Sequence, residues 1–341
     1  MEGLPKCSPF LLSKMKEILN RLFSHKTFNK SEAQNILTGI ATGKYNNSQV
    51  AAFMAVYCMR SITVEELEGF RDAMLELCVK VDFEGELIDL CGTGGDGKDT
   101  FNISTLASFI VAGAGYNVAK HGNYGVSSGC GSSNVMEFLG YRFTNDNDTL
   151  KKSLDDAGIC FLHAPLFHPA MKTVAPIRKE LGVKTFFNML GPMVNPAQPK
   201  NQIVGVFSLE LARLYNYLYQ KSDKNYTILH ALEGYDELSL TCDFKTYSKG
   251  GEQLRQLSEL GLKPINPDTI KGGSSVEESA GIFMKVLNNE GTIEQANVVL
   301  ANAALAIQTI YPQKSFSDCF SEAEESLLSR KALTSFKTLV A

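Results

Sequence analysis

The hydrophobic pattern of the chain changes near residue 85, and this change limits the folds available to it. Before that point, apolar residues recur only at helical spacing. Beyond it, short apolar runs alternate with helical segments, beginning with Glu86–Cys91. Strands that alternate with helices indicate a mainly parallel sheet covered by helices on both faces. The pattern therefore predicts an α/β domain, with a mainly parallel central sheet flanked by helices, and a smaller all-helical domain.

The first 80 residues are predicted to form four helices. Apolar residues from Phe10 to Leu22 repeat at helical spacing, and a second helix starts at Ser31. A third begins at about Ser48, and a fourth follows the capping box Thr63–Glu66. In the second part of the chain, helices are expected from about Val276 to the end. Further strands are predicted at Val118–Ala119, Ile159–Leu162, Ile203–Phe207 and Tyr226–Leu229.

One stretch interrupts the alternation of strands and helices. His168-Pro169 opens a helix that is predicted to reach about Gly182, with a break at Pro176. Phe186–Pro192 adds another helical turn. We expect this excursion to return to the N-terminal helices. The predicted helical domain then comprises residues 1–80 and 166–194, and the α/β domain comprises residues 81–165 and 195–341, with hinges between them.

Charge and composition exclude several classes of protein. A chain of 341 residues suggests about two domains, and its net charge of −4 argues against a nucleic-acid partner, which would require clustered cations. The eight cysteines include no C-x-x-C pair, so a zinc site is not indicated. The longest apolar run, Leu106–Ala114, is too short to cross a membrane, and no signal peptide is recognised. We expect a cytoplasmic protein.

A glycine-rich turn, Gly92-Thr-Gly-Gly-Asp-Gly97, follows the first predicted strand and precedes a helix. Such turns expose backbone amides that can bind phosphate. The turn also fits the dinucleotide pattern G-x-G-x-x-G, which requires an acid about 20 residues further on. No Asp or Glu occurs between Asp99 and Glu137, and Asp96 places a carboxylate inside the turn. A nicotinamide site is therefore rejected, and a phosphate site is favoured.

Three more polar segments follow predicted strands or begin helices. Thr100, Asn102, Ser104 and Thr105 crowd one helix start, where N-capping would need only one of them. The second segment is Lys120-His-Gly-Asn123, followed by a loop of small residues. The third is Asp236-Glu237, after the fifth strand; paired carboxylates beside phosphate loops are ligands suited to Mg²⁺. Since ligands bind at the carboxyl ends of parallel strands, we expect these segments to face one pocket.

Six short motifs are spread over nearly the whole chain. They are Gly92–Gly97, Asn102–Thr105, Lys120–Asn123, His168–Lys172, Asn188–Pro192 and Asp236–Thr241. Each motif alone is weakly diagnostic, but their order and spacing are those of anthranilate phosphoribosyltransferases. The chain resembles that family, whose reaction joins anthranilate to phosphoribosyl diphosphate and releases pyrophosphate.

The resemblance implies a homodimer formed through the helical domains, two Mg²⁺ ions per active site and no catalytic acid or base. The metal ligands would be Ser104, Asp236 and Glu237. Anthranilate would contact Gly92, Asn123 and Arg178, with His121 and His168 along its path. Phosphoribosyl diphosphate would contact Gly92, Gly95, Asp96, Thr100, Asn102, Ile103, Ser104, Thr105, Lys120, His121, Gly122, Asn123, Ser127, Ser128 and Ser132.

The chain departs from the common family pattern at several positions around the acceptor channel. Tyr124 replaces an arginine, Gly129-Cys130 replaces a Lys-Ser pair, and Asn134 replaces an aspartate; His163 and Phe167 are exchanged.

The sequence also leaves two alternative functions. A pyrimidine nucleoside phosphorylase would not need the Asp236-Glu237 pair, and a non-catalytic nucleic-acid-binding relative would need a basic surface.

Overall fold

The computed structural model describes residues 14–125 and 130–341, which form two compact units. One unit contains the chain up to Leu77 together with Pro169–Phe187, and the other contains Cys78–His168 with Asn188–Ala341. Phe10 in the first predicted helix, and Ser127, Ser128 and Gly129 in the small-residue loop, lie outside the described residues. None of the helices in the described parts of the chain has the length and apolarity needed to cross a bilayer.

Fifteen α-helices are present in the described residues. They are α1 Met15–Phe23, α2 Lys30–Ala41, α3 Asn47–Met59, α4 Val64–Leu77, α5 Ile103–Gly113, α6 Ser132–Phe138, α7 Asn147–Ala157, α8 Ala164–Phe167, α9 Met171–Leu181, α10 Phe187–Leu190, α11 Leu209–Tyr219, α12 Val276–Leu287, α13 Ile293–Ile310, α14 Phe316–Leu328 and α15 Lys331–Val340.

The helical unit contains α1–α4 and α9, and an aromatic cluster joins its two chain segments. The ring of Phe186, from the second segment, lies 4.7 Å from that of Phe70, 5.2 Å from Tyr57 and 6.1 Å from Phe53. All four side chains are buried. Burial of large aromatic surfaces in edge-to-face and tilted pairs is strongly stabilising. It explains why a segment so distant in sequence returns to the N-terminal helices.

The predicted break at Pro176 is wrong, because α9 continues through this proline from Met171 to Leu181. Proline removes one backbone hydrogen bond and crowds the preceding turn. Here Val174 and Ile177, on either side of it, are both buried. Their packing holds the helix together despite the missing hydrogen bond. The helix ends at Gly182, as predicted, and the φ of this glycine, 63°, is left-handed.

The capping box predicted at the start of α4 is confirmed, and it belongs to a larger buried network. The Glu66 carboxylate accepts from the Thr63 amide at 3.0 Å, and the Glu66 amide donates to Thr63 Oγ1 at 3.2 Å. The same carboxylate also binds the Arg60 guanidinium, the Tyr57 hydroxyl at 3.1 Å and the Phe28 amide at 3.1 Å. Glu66 is therefore a fully buried ion-pair partner that joins three segments of the helical unit.

We expect Glu66→Ala to lower the free energy of unfolding by about 3–5 kcal/mol, because it leaves the Arg60 charge and several donors without their partner. Burial raises the pKa of Glu66, but hydrogen bonds from Arg60 and Thr63 outweigh it and hold that pKa below its usual value. The stability that ionised Glu66 contributes is therefore fully present above its pKa in the unfolded chain. It is lost as the pH falls through the lower pKa of Glu66 in the folded protein. Urea unfolding at several pH values measures it.

The matched control is Glu76→Ala, at an exposed position of the same helix. This change should alter the free energy of unfolding by no more than about 0.5 kcal/mol. Equal losses in the two variants would contradict the assigned role of the Glu66 network.

The second unit contains a seven-stranded sheet. Its order is β3-β2-β1-β4-β5-β6-β7, and the pairs from β3 to β5 are parallel. The mainly parallel sheet predicted from the sequence is thus confirmed, but the two antiparallel strands at one edge, β6 and β7, were not predicted. The strands are β1 Leu87–Gly92, β2 Asn117–Gly122, β3 Ile159–His163, β4 Asn201–Gly205, β5 Asn225–Ala231, β6 Phe244–Ser248 and β7 Gly251–Arg255.

The strand order reverses direction at β1, and this reversal determines where a ligand can bind. β1 pairs with β2 on one side and with β4 on the other, so the connections after β1 and β4 diverge. Gly92 and Gly205, the last residues of these two strands, are paired in register. In open α/β sheets a ligand crevice forms at such a point, beyond the carboxyl ends of the strands.

Helices bury both faces of this sheet. α5 and α13 pack on each other and on the central strands, with α14 and α15 alongside α5. The apolar residues of α13 are almost all buried, as expected for a helix in the interior of the unit. On the other face, Leu150 and Leu154 of α7 pack with Phe167 and with β-strand residues in a smaller core cluster.

Candidate active site

Two loops meet over the ends of β1 and β4. The Gly94 amide donates to Asp236 Oδ2 at 2.6 Å, which joins the glycine-rich turn to the loop after β5. The approach is so close that a Cβ on Gly92 would lie 2.4 Å from Asp236 Oδ2, and one on Gly205 would lie 1.5 Å from the Asp236 carbonyl oxygen. Both strand ends must therefore be glycine for Asp236 to occupy this position.

The start of α5 is capped from outside the helix. Asn102 occupies the N-cap position but makes no capping hydrogen bond with its side chain. Instead Glu237 Oε1 accepts from the Ser104 amide at 2.9 Å, and Glu237 Oε2 accepts from Thr100 Oγ1 at 3.2 Å. N-capping by one of the four local polar side chains, the simplest interpretation of this segment, is not what these residues do. A carboxylate at a helix N-terminus is stabilised by the helix dipole.

The site contains concentrated negative charge. Asp96 Oδ2 lies 3.5 Å from the Asp236 amide, close to the Asp236-Glu237 pair. Burial, together with the neighbouring carboxylates, raises the pKa of Asp236 well above its usual value. Burial and the charge of Asp96 raise the pKa of Glu237 to about 7, against hydrogen bonds from Ser104 and Thr100 that lower it. Asp236 is buried and Glu237 is half-buried, and carboxylates held this close together form a site suited to a bound cation.

A small cavity of about 20 Å³ lies beside these carboxylates. Its polar lining comes from Ser104, Asp236, Glu237 and Asn302, and residues of β1, β4 and β5 complete it. Within residues 14–125 and 130–341, no cluster of three His, Cys, Asp or Glu side chains could hold a metal by itself. Mg²⁺ commonly binds one or two carboxylates and takes its other ligands from water and substrate phosphates. The residues present fit that mode.

The end of β2 contributes Lys120 and His121 beneath the glycine-rich turn. Lys120 is 2% exposed, and its ammonium donates to the Leu90 carbonyl at 2.6 Å. Burial lowers the pKa of Lys120, and the nearby charge of Asp89 opposes that effect. Asp89 also accepts from the His121 amide at 3.2 Å. The structure thus places the Lys120 ammonium against the main chain of β1, at the base of the site.

His121 and His168 form a buried imidazole pair with ring centroids 5.3 Å apart. His121 Nδ1 lies 3.1 Å from the Gly191 carbonyl, so this nitrogen carries the proton. Burial lowers the pKa of His121 to about 4 and that of His168 to about 3. Both rings are therefore neutral near pH 7.

Hydrogen bonds join the described residues on the two sides of the loop after β2. The Asn123 carbonyl accepts from Ser132 Oγ at 3.3 Å and from the Ser133 amide at 3.1 Å. Asn134 Oδ1 accepts from the Gly125 and Gly131 amides, each at 3.0 Å. The Asn134 amide oxygen therefore joins the two sides of this loop that the structure describes. Ser127 and Ser128, predicted to contact the donor, lie outside the described residues.

The remaining predicted positions are distributed more widely. His163 is buried, hydrogen-bonded to Ser133 Oγ at 2.9 Å and stacked on Phe143, while Phe167 lies in an apolar core. The side chains of Ile103 and Thr105 are also buried. Arg178 belongs to the helical unit, where its guanidinium lies 5.4 Å from the centre of the Phe187 ring.

Asn302, on α13, lines the cavity but was not recognised from the sequence. It stands alone as a polar residue within the apolar run Val298–Ile307. A single amide in a buried helix needs partners for its hydrogen-bonding groups, and that requirement was the available signal. Asp89, in the middle of the apolar strand β1, gave a similar signal.

Family models match both units of the chain. The a/b domain of a glycosyl transferase family matches residues 84–333, and the helical bundle domain of that family matches residues 16–78. The first match alone covers more than half of the chain. The chain belongs to this glycosyl transferase family.

Individual relatives narrow the assignment. An anthranilate phosphoribosyltransferase of Christiangramia forsetii is 61% identical over 95% of this chain and 98% of its own length. One of Cytophaga hutchinsonii is 53% identical over 96% of this chain and all of its own length. Within the glycosyl transferases, the chain belongs to the anthranilate phosphoribosyltransferases. These identities do not favour either alternative function.

Solved structures agree with this assignment. The anthranilate phosphoribosyltransferase of Thermus thermophilus matches with a TM-score of 0.87 and 30% identity, over 94% of this chain and 98% of that one. The Saccharomyces cerevisiae enzyme, solved in complex with PRPP and Mg, matches with a TM-score of 0.88 and 26% identity, over 96% and 98%. Magnesium therefore accompanies PRPP, which is phosphoribosyl diphosphate, in a relative of the same fold.

Proposed function

We propose that this protein transfers the 5-phosphoribosyl group of phosphoribosyl diphosphate to anthranilate, with release of pyrophosphate, in tryptophan biosynthesis. The proposal is carried by two hydrogen bonds: Asp236 accepts from the Gly94 amide, and Glu237 accepts from the Ser104 amide. Both lie where the strand order of the sheet reverses, beyond the carboxyl ends of β1 and β4. This arrangement combines anion donors with cation ligands, as a metal-complexed diphosphate requires. The family membership of the chain supports it.

The diphosphate side of the site is assigned to the glycine-rich turn and the start of α5. Amides of this turn would bind phosphate oxygens, with Gly92, Gly95, Thr100, Asn102, Ser104 and Thr105 around the donor. Gly95 adopts a left-handed φ of 79°, which suits an anion-binding turn. Asp96, in the same turn, is also assigned to the binding of phosphoribosyl diphosphate. Lys120, at its base, contributes positive charge against the departing pyrophosphate.

The metal is assigned to Ser104, Asp236 and Glu237, with two ions per site. When bound, Mg²⁺ would neutralise the charge that develops on the leaving diphosphate. The carboxylate pair holds the negative charge needed to retain such cations. Thr100 and the Ser104 amide fix the orientation of the Glu237 carboxylate. No acid or base is assigned, because the acceptor amine has a free lone pair at neutral pH.

The acceptor side is assigned to Gly92, Asn123 and Arg178, with His121 and His168 along the path of anthranilate. Because burial lowers the pKa of both imidazoles far below 7, neither adds a positive charge near the acceptor at neutral pH. They serve as a neutral lining, which suits an aromatic ring. A homodimer formed through the helical units and a cytoplasmic location complete the proposal.

A fluorescence assay tests the proposed reaction directly. Purified protein is mixed with anthranilate, phosphoribosyl diphosphate and Mg²⁺, and the loss of anthranilate fluorescence is followed. We expect consumption that requires both the donor and the metal, and none with ribose 5-phosphate as donor. Turnover of uridine with phosphate, in the absence of any reaction with anthranilate, would support the phosphorylase alternative instead.

We expect Arg178→Ala to raise the KM for anthranilate at least about tenfold, since a charge-assisted hydrogen bond to its carboxylate contributes about 1.5–3 kcal/mol. The KM for the donor should change little. Aniline, which lacks the carboxylate, should be a poor substrate of the unaltered protein and should lose little further in the variant. Steady-state kinetics with both acceptors provides the measurement.

Lys179→Ala, at the next and exposed position of α9, is the matched control and should leave both KM values unchanged. A weaker donor interaction in Arg178→Ala, or an unchanged preference for anthranilate over aniline, would show that Arg178 does not bind the acceptor carboxylate.

A further inference from the structure

Asn302 is joined by two hydrogen bonds to the main chain of the loop after β5, which carries Asp236 and Glu237. Its Nδ2 donates to the Leu238 carbonyl at 2.9 Å, and its Oδ1 accepts from the Leu238 amide at 3.1 Å. The amide side chain thus pairs with both backbone groups of one residue, as a neighbouring β-strand would. Leu238 directly follows Glu237, so the contact acts on the segment that carries both proposed metal ligands.

The remaining hydrogen-bond donor of Asn302 binds within its own helix. The second Nδ2 hydrogen is donated to the Val298 carbonyl at 2.7 Å. Both hydrogens of Nδ2 are therefore engaged, and the side chain is 6% exposed. Since it has no donor left for a ligand, Asn302 acts on the site through Leu238, and α13 provides the rigid support.

The chemistry of the position explains why it carries a neutral amide. The loop brings Asp236 and Glu237 together beside Asp96, and these like charges repel one another. A main chain free to move would let the carboxylates separate. An aspartate at 302 would lose the Nδ2 donor and add another negative charge, whereas a leucine would leave both Leu238 groups without this partner.

We propose that Asn302 is a positioning residue that holds Asp236 and Glu237 in the arrangement that binds Mg²⁺. The inference rests on the proposed function, because it assumes that these two carboxylates bind the metal. It adds a residue 64 positions away from Leu238 in sequence, on a helix that supplies none of the proposed ligands.

The test compares Asn302→Asp and Asn302→Leu with a matched control, Thr309→Val. Thr309 is buried in the same helix, and its hydroxyl binds Thr227 Oγ1 at 2.7 Å and the Leu305 carbonyl at 2.8 Å. The control therefore removes buried hydrogen bonds of α13 without touching the loop after β5. Mg²⁺ binding is measured by isothermal titration calorimetry with phosphoribosyl diphosphate present, and the Mg²⁺ dependence of the rate is measured in parallel.

We expect both Asn302 variants to weaken Mg²⁺ binding at least about tenfold, the usual effect of removing a residue that orients a metal ligand. The Mg²⁺ concentration for half-maximal rate should rise equally, and saturating Mg²⁺ should restore most of kcat. Thr309→Val should lower Tm without shifting either Mg²⁺ value. If Asn302→Leu fails to fold, Asn302→Ser removes the same contacts with no added volume.

The outcomes separate the inference from the proposed function. If Asp236→Asn/Glu237→Gln binds Mg²⁺ as the unaltered protein does, the metal assignment itself fails. If that double variant loses Mg²⁺ binding while the Asn302 variants shift it no more than Thr309→Val, the role of Asn302 alone is overturned.

Discussion

Replacing Asp236 by asparagine and Glu237 by glutamine is expected to lower kcat/KM at least about 10³-fold, because stabilisation of the leaving charge is the largest contribution assigned to this site. The amides have nearly the same shape as the carboxylates. Their carbonyl oxygens can still accept from the Gly94 and Ser104 amides, which now bind Asp236 and Glu237. The fold should therefore survive, and Tm without Mg²⁺ should be unchanged or higher because the repulsion between the two acids is gone.

Kinetics at several Mg²⁺ concentrations and thermal unfolding together test this result. Glu233→Gln is the matched control, since Glu233 belongs to the same loop after β5, is exposed, and its carboxylate accepts a hydrogen bond from Thr241 Oγ1. It should leave the rate and its Mg²⁺ dependence unchanged. Near-normal turnover of the Asp236/Glu237 double variant at limiting Mg²⁺ would remove these residues from the metal site.

Gly92→Ala is expected to lower kcat/KM at least about 10²-fold, the effect that a misplacement of about 1 Å can have on a positioned catalytic group. Its methyl group would lie 2.4 Å from Asp236 Oδ2 and 2.9 Å from Asp236 Cγ. These separations are too short to persist, so the Asp236 carboxylate must move. Movement would break its hydrogen bond with the Gly94 amide.

Gly281→Ala controls for the change of residue type. A Cβ at Gly281, inside α12, would meet no atom within 4 Å. There alanine should raise the free energy of unfolding by up to about 1 kcal/mol through its better helix propensity, with no effect on rate. Kinetics and urea unfolding of both variants provide the comparison. Retention of full activity by Gly92→Ala would mean that Asp236 can function in another position.

Local periodicity accounts for the parts of the fold that were predictable from sequence. The apolar runs that became β1–β5 are short, buried and separated by helical patterns, so each could be recognised alone. The β6–β7 hairpin could not, because most of β7 is exposed and the segment Gly251–Arg255 has no clear alternation of apolar and polar residues. The break predicted at Pro176 was wrong for the opposite reason. Proline is a strong local signal for a helix break, but tertiary packing outweighed it.

In the site too, features set by neighbouring residues could be predicted from the sequence, and contacts between distant residues could not. The glycine-rich turn and the Asp236-Glu237 pair were recognisable, since each lies at or shortly after the end of a strand. The capping of α5 by Glu237 joins residues 133 positions apart, and the Asn302–Leu238 contact spans 64. No short-range pattern encodes such pairs. They follow from the packing of α5 and α13 with the central strands, which only the folded chain reveals.

The hydrogen bonds from Gly94 to Asp236 and from Ser104 to Glu237 also bear on which anions can enter. Two donors of the proposed phosphate site bind carboxylates of the same molecule. A bare phosphate would have to displace them and would meet their negative charge. An anion that arrives with a divalent cation brings the charge that compensates both. If the proposed site is correct, its own carboxylates would compete with uncomplexed anions for these amides, and this competition would favour donors that arrive bound to a metal.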